Sequence, residues 1–204
     1  MIIKFHSGKK INYLFLEKKI TNKSMKVIIF SCLILIISSL NLRNNAAFDF
    51  ESFYTDLVQQ HNTLRTKHRV GKLTKLKAIA DMAQKTADQC ARIKNLKHTR
   101  DYYLDQPVGQ NLYLSTWAPS AADVLKGWYY EEEPHYDYTK GKSKDGETTG
   151  HFTQVVWKDS KQIGCAVANG NYMTFSGSYY VCCNYFPAGN YYGQYVQNVR
   201  TPSA

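Results

Sequence analysis

Apolar positions recurring at three- and four-residue steps mark helices in the region after residue 47. Phe53, Leu57 and Leu64, with His61 on the same side, predict one helix between Phe48 and His68. Leu76, Ile79, Ala80, Ala83, Ala87, Cys90 and Ala91 predict a second from Thr74 to Ile93, with Thr74 as its N-cap. The stretch Asp101 to Pro119 is turn-rich. A third helix is expected after Pro119, where Ser120 and Asp123 form a capping-box-like pair, and Pro134 stops it after Glu132. Residues Tyr138 to Thr149 are polar and read as a long loop. Beyond them His151–Trp157, Gln162–Val167 and Tyr179–Phe186 alternate or carry β-branched and aromatic residues, which predicts strands. Asn169-Gly170-Asn171 is a hairpin signal between the last two. Helices first and strands last give an α+β fold with a small antiparallel sheet around one core over 48–204.

The region before residue 48 reads differently. Met25-Lys26 precedes an apolar run from Val27 to Leu40, followed by polar residues and the small pair Ala46-Ala47. Charge, apolar core and small residues in that order describe a secretory signal peptide, so 1–47 is expected to be a leader, with Met25 an alternative start. Export to the extracellular space follows from that reading.

Removing the leader changes the charge balance. The whole chain is +10, but residues 1–47 hold eight Lys/Arg and one acid, leaving 18 basic and 15 acidic residues. Nucleic-acid binding needs a clustered basic face, and most lysines of the remaining chain are scattered. One cluster runs from Arg65 through Lys67, Arg69, Lys72 and Lys75 to Lys77. It is read as a solvated helix end and loop, with peripheral contact to anionic lipid headgroups as its functional alternative.

Of five cysteines, Cys32 lies in the leader, leaving Cys90, Cys165, Cys182 and Cys183. Four in an exported chain favour disulfides, with three possible pairings. Candidate chemistry lies in His98 after the second helix, His151 at the start of an expected strand, and Glu131, Glu132 and Glu133 at the end of the third helix. Carboxylates at a helix C-terminus oppose its dipole, which hints that one is used. Trp128, Tyr129, Tyr130, Tyr136 and Tyr138 form an aromatic-rich patch, either core packing or a groove for an apolar ligand.

Two long segments resemble known signatures. Gly150-His151-Phe152-Thr153-Gln154-Val155-Val156-Trp157, and Tyr180 through Cys183-Asn184-Tyr185-Phe186-Pro187-Ala188-Gly189-Asn190 to Tyr191, are similar to those of the CAP family. That family includes cysteine-rich secretory proteins, wasp venom antigens and plant class 1 pathogenesis-related proteins. His98-Thr99, Gly109-Gln110-Asn111-Leu112, Trp128-Tyr129-Tyr130-Glu131 and Ile163-Gly164-Cys165 support the resemblance, which spans Phe53 to Asn198.

The resemblance implies an α-β-α sandwich with a three-stranded antiparallel sheet, and a cleft of two histidines and two glutamates. Carried over by segment, these are His98, His151 and Glu131, with Gln110 standing where a glutamate is expected. An amide can orient a histidine but cannot act as a base or give negative charge to a cation. The resemblance further implies a Cys165–Cys183 disulfide, which leaves Cys90 and Cys182 for each other. The function expected is binding of a lipid, a sterol or an extracellular partner protein, without catalysis. The alternative is a zinc-dependent hydrolase using His98 and His151 as ligands and Glu131 as base.

Overall fold

The structure, a computed structural model, describes residues 2–4 and 48–203. Residues 1–6 group with 50–204 as one unit, and residues 7–49 form another. The expected signal segment, Met25 and Cys32 lie outside the described residues. Among the described residues no helix is long and apolar enough to cross a membrane.

A five-stranded sheet carries the main unit. Its three long strands, β5 (Gly109–Ser115), β8 (Gln162–Tyr172) and β9 (Phe175–Phe186), are antiparallel with β9 in the middle. Short parallel strands flank them, β1 (Ile2–Lys4) beside β5 and β2 (Thr74–Lys75) beside β8. Two small hairpins, β3 (Tyr102–Tyr103) with β4 (Gln106–Pro107) and β6 (Tyr136–Asp137) with β7 (Lys142–Ser143), lie outside this sheet. The helices are α1 (Phe50–Lys67), α2 (Lys77–Ile93), α3 (Ala121–Leu125), α4 (Gly150–Val156) and α5 (Tyr195–Asn198).

Alternation along the strands sorts the helices into two layers. On one face Leu112, Leu114, Ala166 and Cys182 pack against Ala83, Ala87 and Cys90 of α2. The approach is close: a Cβ added to Gly164 would lie 2.2 Å from the backbone N of Ala80, so α2 sits on β8 only because residue 164 has none. On the other face Tyr185 meets His61 of α1, which in turn packs edge-on against Trp128. The result is an α-β-α sandwich.

Several expectations are corrected. The segment His151–Trp157 is α4 and not a strand. Every residue from His151 to Val156 is buried, the polar His151, Thr153 and Gln154 included, so its polar and apolar positions do not mark an outer and an inner face. The third long strand is β5, in the stretch read as turns. Thr74 pairs with β8 instead of capping α2, whose N-cap is Leu76 with no side-chain bond. The expected turn Asn169-Gly170-Asn171 lies inside β8, next to a register shift between Gly170 and Tyr172, and the chain reverses between Tyr172 and Phe175. The Ser120–Asp123 capping box is present with both reciprocal bonds.

Cys165 and Cys183 are directly opposed on β8 and β9, with Cα atoms 4.1 Å apart, and form the disulfide. Cys90 and Cys182 do not pair with each other; both are buried free thiols. The Cys90 sulfur accepts the Lys97 N–H at 3.4 Å, and the Cys182 thiol turns to Asn184 Oδ1 at 3.6 Å, so each already has a local partner.

Candidate functional site

The N-terminal end of β5 organises the cleft, because its first residues send side chains to both faces of the sheet. Gln110 points to the α2 side and Asn111 to the other. Gln110 Oε1 accepts from the Thr99 N–H at 3.3 Å and from His98 Nδ1 at 2.9 Å. Gln110 Nε2 donates to Thr99 Oγ1 and to Asn184 Oδ1, each at 3.1 Å. The Thr99 N–H fixes which end of the amide is oxygen, so His98 must carry its proton on Nδ1. The loop that delivers His98 leaves α2 through Lys94, which adopts a left-handed conformation at the C-cap. Partial burial holds the His98 imidazole below the usual histidine range, and His151 nearby lowers it further against the opposing effect of Gln110.

On the other side Asn111 Nδ2 donates to the His151 carbonyl at 3.1 Å, tying β5 to the first turn of α4. His151 Nδ1 lies 2.5 Å from Glu132 Oε1, and Glu132 Oε2 accepts the Phe152 N–H at 3.0 Å. The His151 ring stacks parallel to Trp128 with centroids 6.5 Å apart.

The glutamate bonded to His151 is Glu132, which is buried, where the segment match pointed to its exposed neighbour Glu131. The backbone explains the shift by one. After α3 the chain enters a π-helical turn, Lys126–Tyr130, closed by the Glu131 N–H on the Lys126 carbonyl five residues back. A π turn holds one more residue than an α turn, so the side chain brought round to His151 comes one position later than α-helical counting places it.

Both histidines thus use Nδ1–H on a fixed acceptor, and no other described residue engages either Nε2. Histidines that ligate metals are oriented in this way. Among the described residues no group of three His, Cys, Asp or Glu side chains is arranged to hold a metal ion.

The aromatic-rich patch divides. Trp128, Tyr129 and Tyr136 are core, and Trp128 Nε1 donates to the Leu112 carbonyl. Tyr136 also lines a cavity of about 570 Å³, together with Lys140, Lys142, Thr153, Tyr195 and Val196. The Tyr136 hydroxyl is buried with no hydrogen-bond partner among the described residues. Gly150 and Thr153 of α4 belong to the same wall, on either side of His151, so cavity and histidine cleft share one short helix. Tyr192, Tyr195 and Val196 were missed as candidates, because nothing in their local pattern places them opposite β7.

A profile of the cysteine-rich secretory protein family, CAP, matches residues 58–185. This chain belongs to that family. Pathogenesis-related protein 1A of Nicotiana tabacum is 36% identical over 140 residues, covering 68% of this chain and 77% of the relative. Golgi-associated plant pathogenesis-related protein 1 of Homo sapiens is 32% identical over 154 residues, covering 74% and 95%. Among solved structures, NaASP2 with Zn2+ superposes with a TM-score of 0.54 at 20% identity, covering 78% of this chain and 90% of the other. The CAP sandwich of this chain is thus supported by both sequence and fold.

Proposed function

We propose that this CAP protein is exported and binds a lipid or sterol, using the cavity between the β6–β7 hairpin, α4 and α5. The observation that carries this reading is the cavity itself. Its volume, about 570 Å³, suits a single amphiphile, Tyr136, Tyr195 and Val196 supply apolar wall, and Lys140 and Lys142 supply polar anchors. Catalysis is less well supported. Both Glu132 oxygens are already accepting bonds, and Gln110 is neutral.

The test is retention of a fluorescent sterol or fatty acid by the chain expressed in full in a secretory host and purified as the cell processes it. Val196→Glu places a charge in the cavity wall and is expected to abolish retention, while His98→Ala with His151→Ala leaves it intact. Failure of the unaltered protein to hold any lipid class would remove the proposal.

A second reading concerns metal. The paired Nδ1 anchors favour zinc at His98 and His151, with Gln110 and Glu132 orienting the rings. When bound, zinc would supply Lewis acidity to a water or ligand oxygen in the cleft. Zinc is expected to raise Tm through selective binding to the native state, and His98→Ala with His151→Ala to remove the rise. An extracellular protein partner is the remaining alternative, recognisable as capture that persists in both the Val196→Glu and the double-alanine variants.

A further inference from the structure

Cations that are scattered in the sequence are gathered by the fold into one face. The end of α1 carries Lys67, the loop after it Arg69 and Lys72, and β2 carries Lys75. The tail folds back onto this loop: Arg200 donates to the Arg69 carbonyl, Arg69 to the Thr201 carbonyl, and Ser203 N to the Lys67 carbonyl. The turn after α4 joins from the other side, because Thr74 N donates to the Lys161 carbonyl and Lys161 Nζ to the Lys158 carbonyl. The segments that bear Lys67, Arg69, Lys72, Lys75, Lys158, Lys161 and Arg200 are thereby brought next to one another. Among the described residues the only acidic partner of any of them is Asp159, 4.0 Å from Lys158.

Arg65 holds this surface together from below. It is fully buried, and its guanidinium donates to the carbonyls of Gly71, Val155, Trp157 and Ser160. One side chain therefore binds the Lys72 loop to the turn that bears Lys158 and Lys161. Burial lowers Arg65 only to about 10, so at neutral pH it adds a further positive charge beneath the face.

A groove of about 480 Å³ runs along α1 into this face. It is lined by the neutral polar residues Thr55, Gln59, Asn62, Thr63 and Thr66 together with Val58, with Lys72 and Lys75 completing the wall; the Thr63 and Thr66 hydroxyls donate to backbone carbonyls of α1 and keep acceptor capacity for a ligand. Lys75 is positioned by a bond from Nζ to Thr55 Oγ1 at 2.9 Å and by the Tyr54 ring 4.3 Å beneath it. None of the exposed large hydrophobic side chains lines the groove. A bilayer surface is met by cations together with apolar anchors. Rows of neutral hydrogen-bonding groups beside cations instead match a ligand that carries hydroxyls and fixed anions on one backbone.

We propose that this groove and the basic face around it bind a sulfated polysaccharide, sulfates meeting the lysines and arginines and sugar hydroxyls meeting the threonine and glutamine side chains. The site shares no lining residue with the lipid cavity, and it stands whether or not that cavity holds lipid.

The test is titration of a size-defined heparin oligosaccharide into the chain, expressed in full and purified as the cell processes it, at physiological salt. Lys72→Gln with Lys75→Gln should weaken binding at least about tenfold and flatten its salt dependence, as loss of two ionic contacts to a polyanion does. Gln59→Ala with Thr63→Ala removes no charge and should weaken binding about threefold, the loss of modest hydrogen bonds. Lys140→Gln with Lys142→Gln removes the same charge at the lipid cavity and should leave binding within about twofold. Unchanged melting temperatures exclude misfolding, and desulfated heparin should not bind. The proposal is overturned by absence of heparin binding, by equal loss in the Lys140/Lys142 pair, or by no effect of the neutral pair. It is equally overturned if phosphatidylserine vesicles or duplex DNA bind as tightly as the oligosaccharide and with the same sensitivity to Lys72→Gln and Lys75→Gln.

Discussion

The two faces of the sheet are built on different principles. Under α2 the interface is made of small residues, Gly164, Ala83 and Ala87, and stability there comes from close approach and dense packing. Under α1 and α4 the buried layer is aromatic and polar. His61 Nδ1 donates to the Leu57 carbonyl and Nε2 accepts from the Tyr185 hydroxyl, Asn111 reaches from Tyr185 to the His151 carbonyl, and Arg65 fills a cage of carbonyls. Buried polar networks of this kind are stabilising only while every member is paired. The difference shows where function can be housed: the packed face supplies a rigid back, and the polar face fixes His151 and Glu132 and draws the basic loops together.

The largest effect expected from breaking that comparison is at Arg65. Arg65→Met keeps much of the volume but leaves three buried carbonyls, of Val155, Trp157 and Ser160, and the part-buried Gly71 carbonyl without their donor. A loss of about 4 kcal/mol in urea unfolding is expected, in the range for breaking a buried charged network. A change no larger than that of a typical surface substitution would show that water replaces the guanidinium and that the cage is incidental.

Acid should act on the same face next. Burial, helped by the Arg65 charge, lowers His61 to about 4, against 6.5 in an unfolded chain. Its neutral form is the one the fold accepts, so the contribution is complete above pH 6.5 and is lost as pH falls towards 4. The linkage amounts to about 3 kcal/mol over that window. Stability measured between pH 7 and 4 should therefore fall less steeply in His61→Phe than in the parent. Parallel curves would mean His61 is not the group that titrates.

On the packed face Gly164→Ala probes close approach directly. The new methyl would meet the backbone of Ile79 and Ala80, and α2 must withdraw, which costs about 2–3 kcal/mol by analogy with overpacked cores. Retained stability would show that α2 can slide, and that this face is less rigid than its packing implies.

How much of this was legible beforehand follows the same division. The long amphipathic periods of α1 and α2 and the signature segments around His151 and Asn184 carried the fold and the Cys165–Cys183 bond. Buried segments misled, because residues 151–156 are apolar or buried on every side and show no period. Glu132 stood among three adjacent candidates, Glu131 to Glu133, and was not singled out because the π turn that aims it at His151 is a backbone feature with no compositional mark. The basic face was hidden because Lys158, Lys161 and Arg200 are far in sequence from the Lys67–Lys75 stretch and meet it only through backbone hydrogen bonds.

The smallest effect, and the one that compares the two halves of the cleft most directly, is expected from Gln110→Glu. It would make the His98 side resemble the Glu132–His151 side, and a carboxylate beside Nδ1 should raise the His98 pKa. The same change puts an oxygen where Gln110 Nε2 now donates to Asn184 Oδ1. Asn184 cannot turn to compensate, because its Nδ2 is committed to the Ile79 carbonyl at 3.1 Å. Stability should therefore drop by about 1 kcal/mol while His98 becomes more basic. Histidine NMR titration and urea unfolding on one sample read both quantities. A raised His98 pKa without loss of stability would show that Asn184 does not select the amide, and that position 110 is free to carry either side chain.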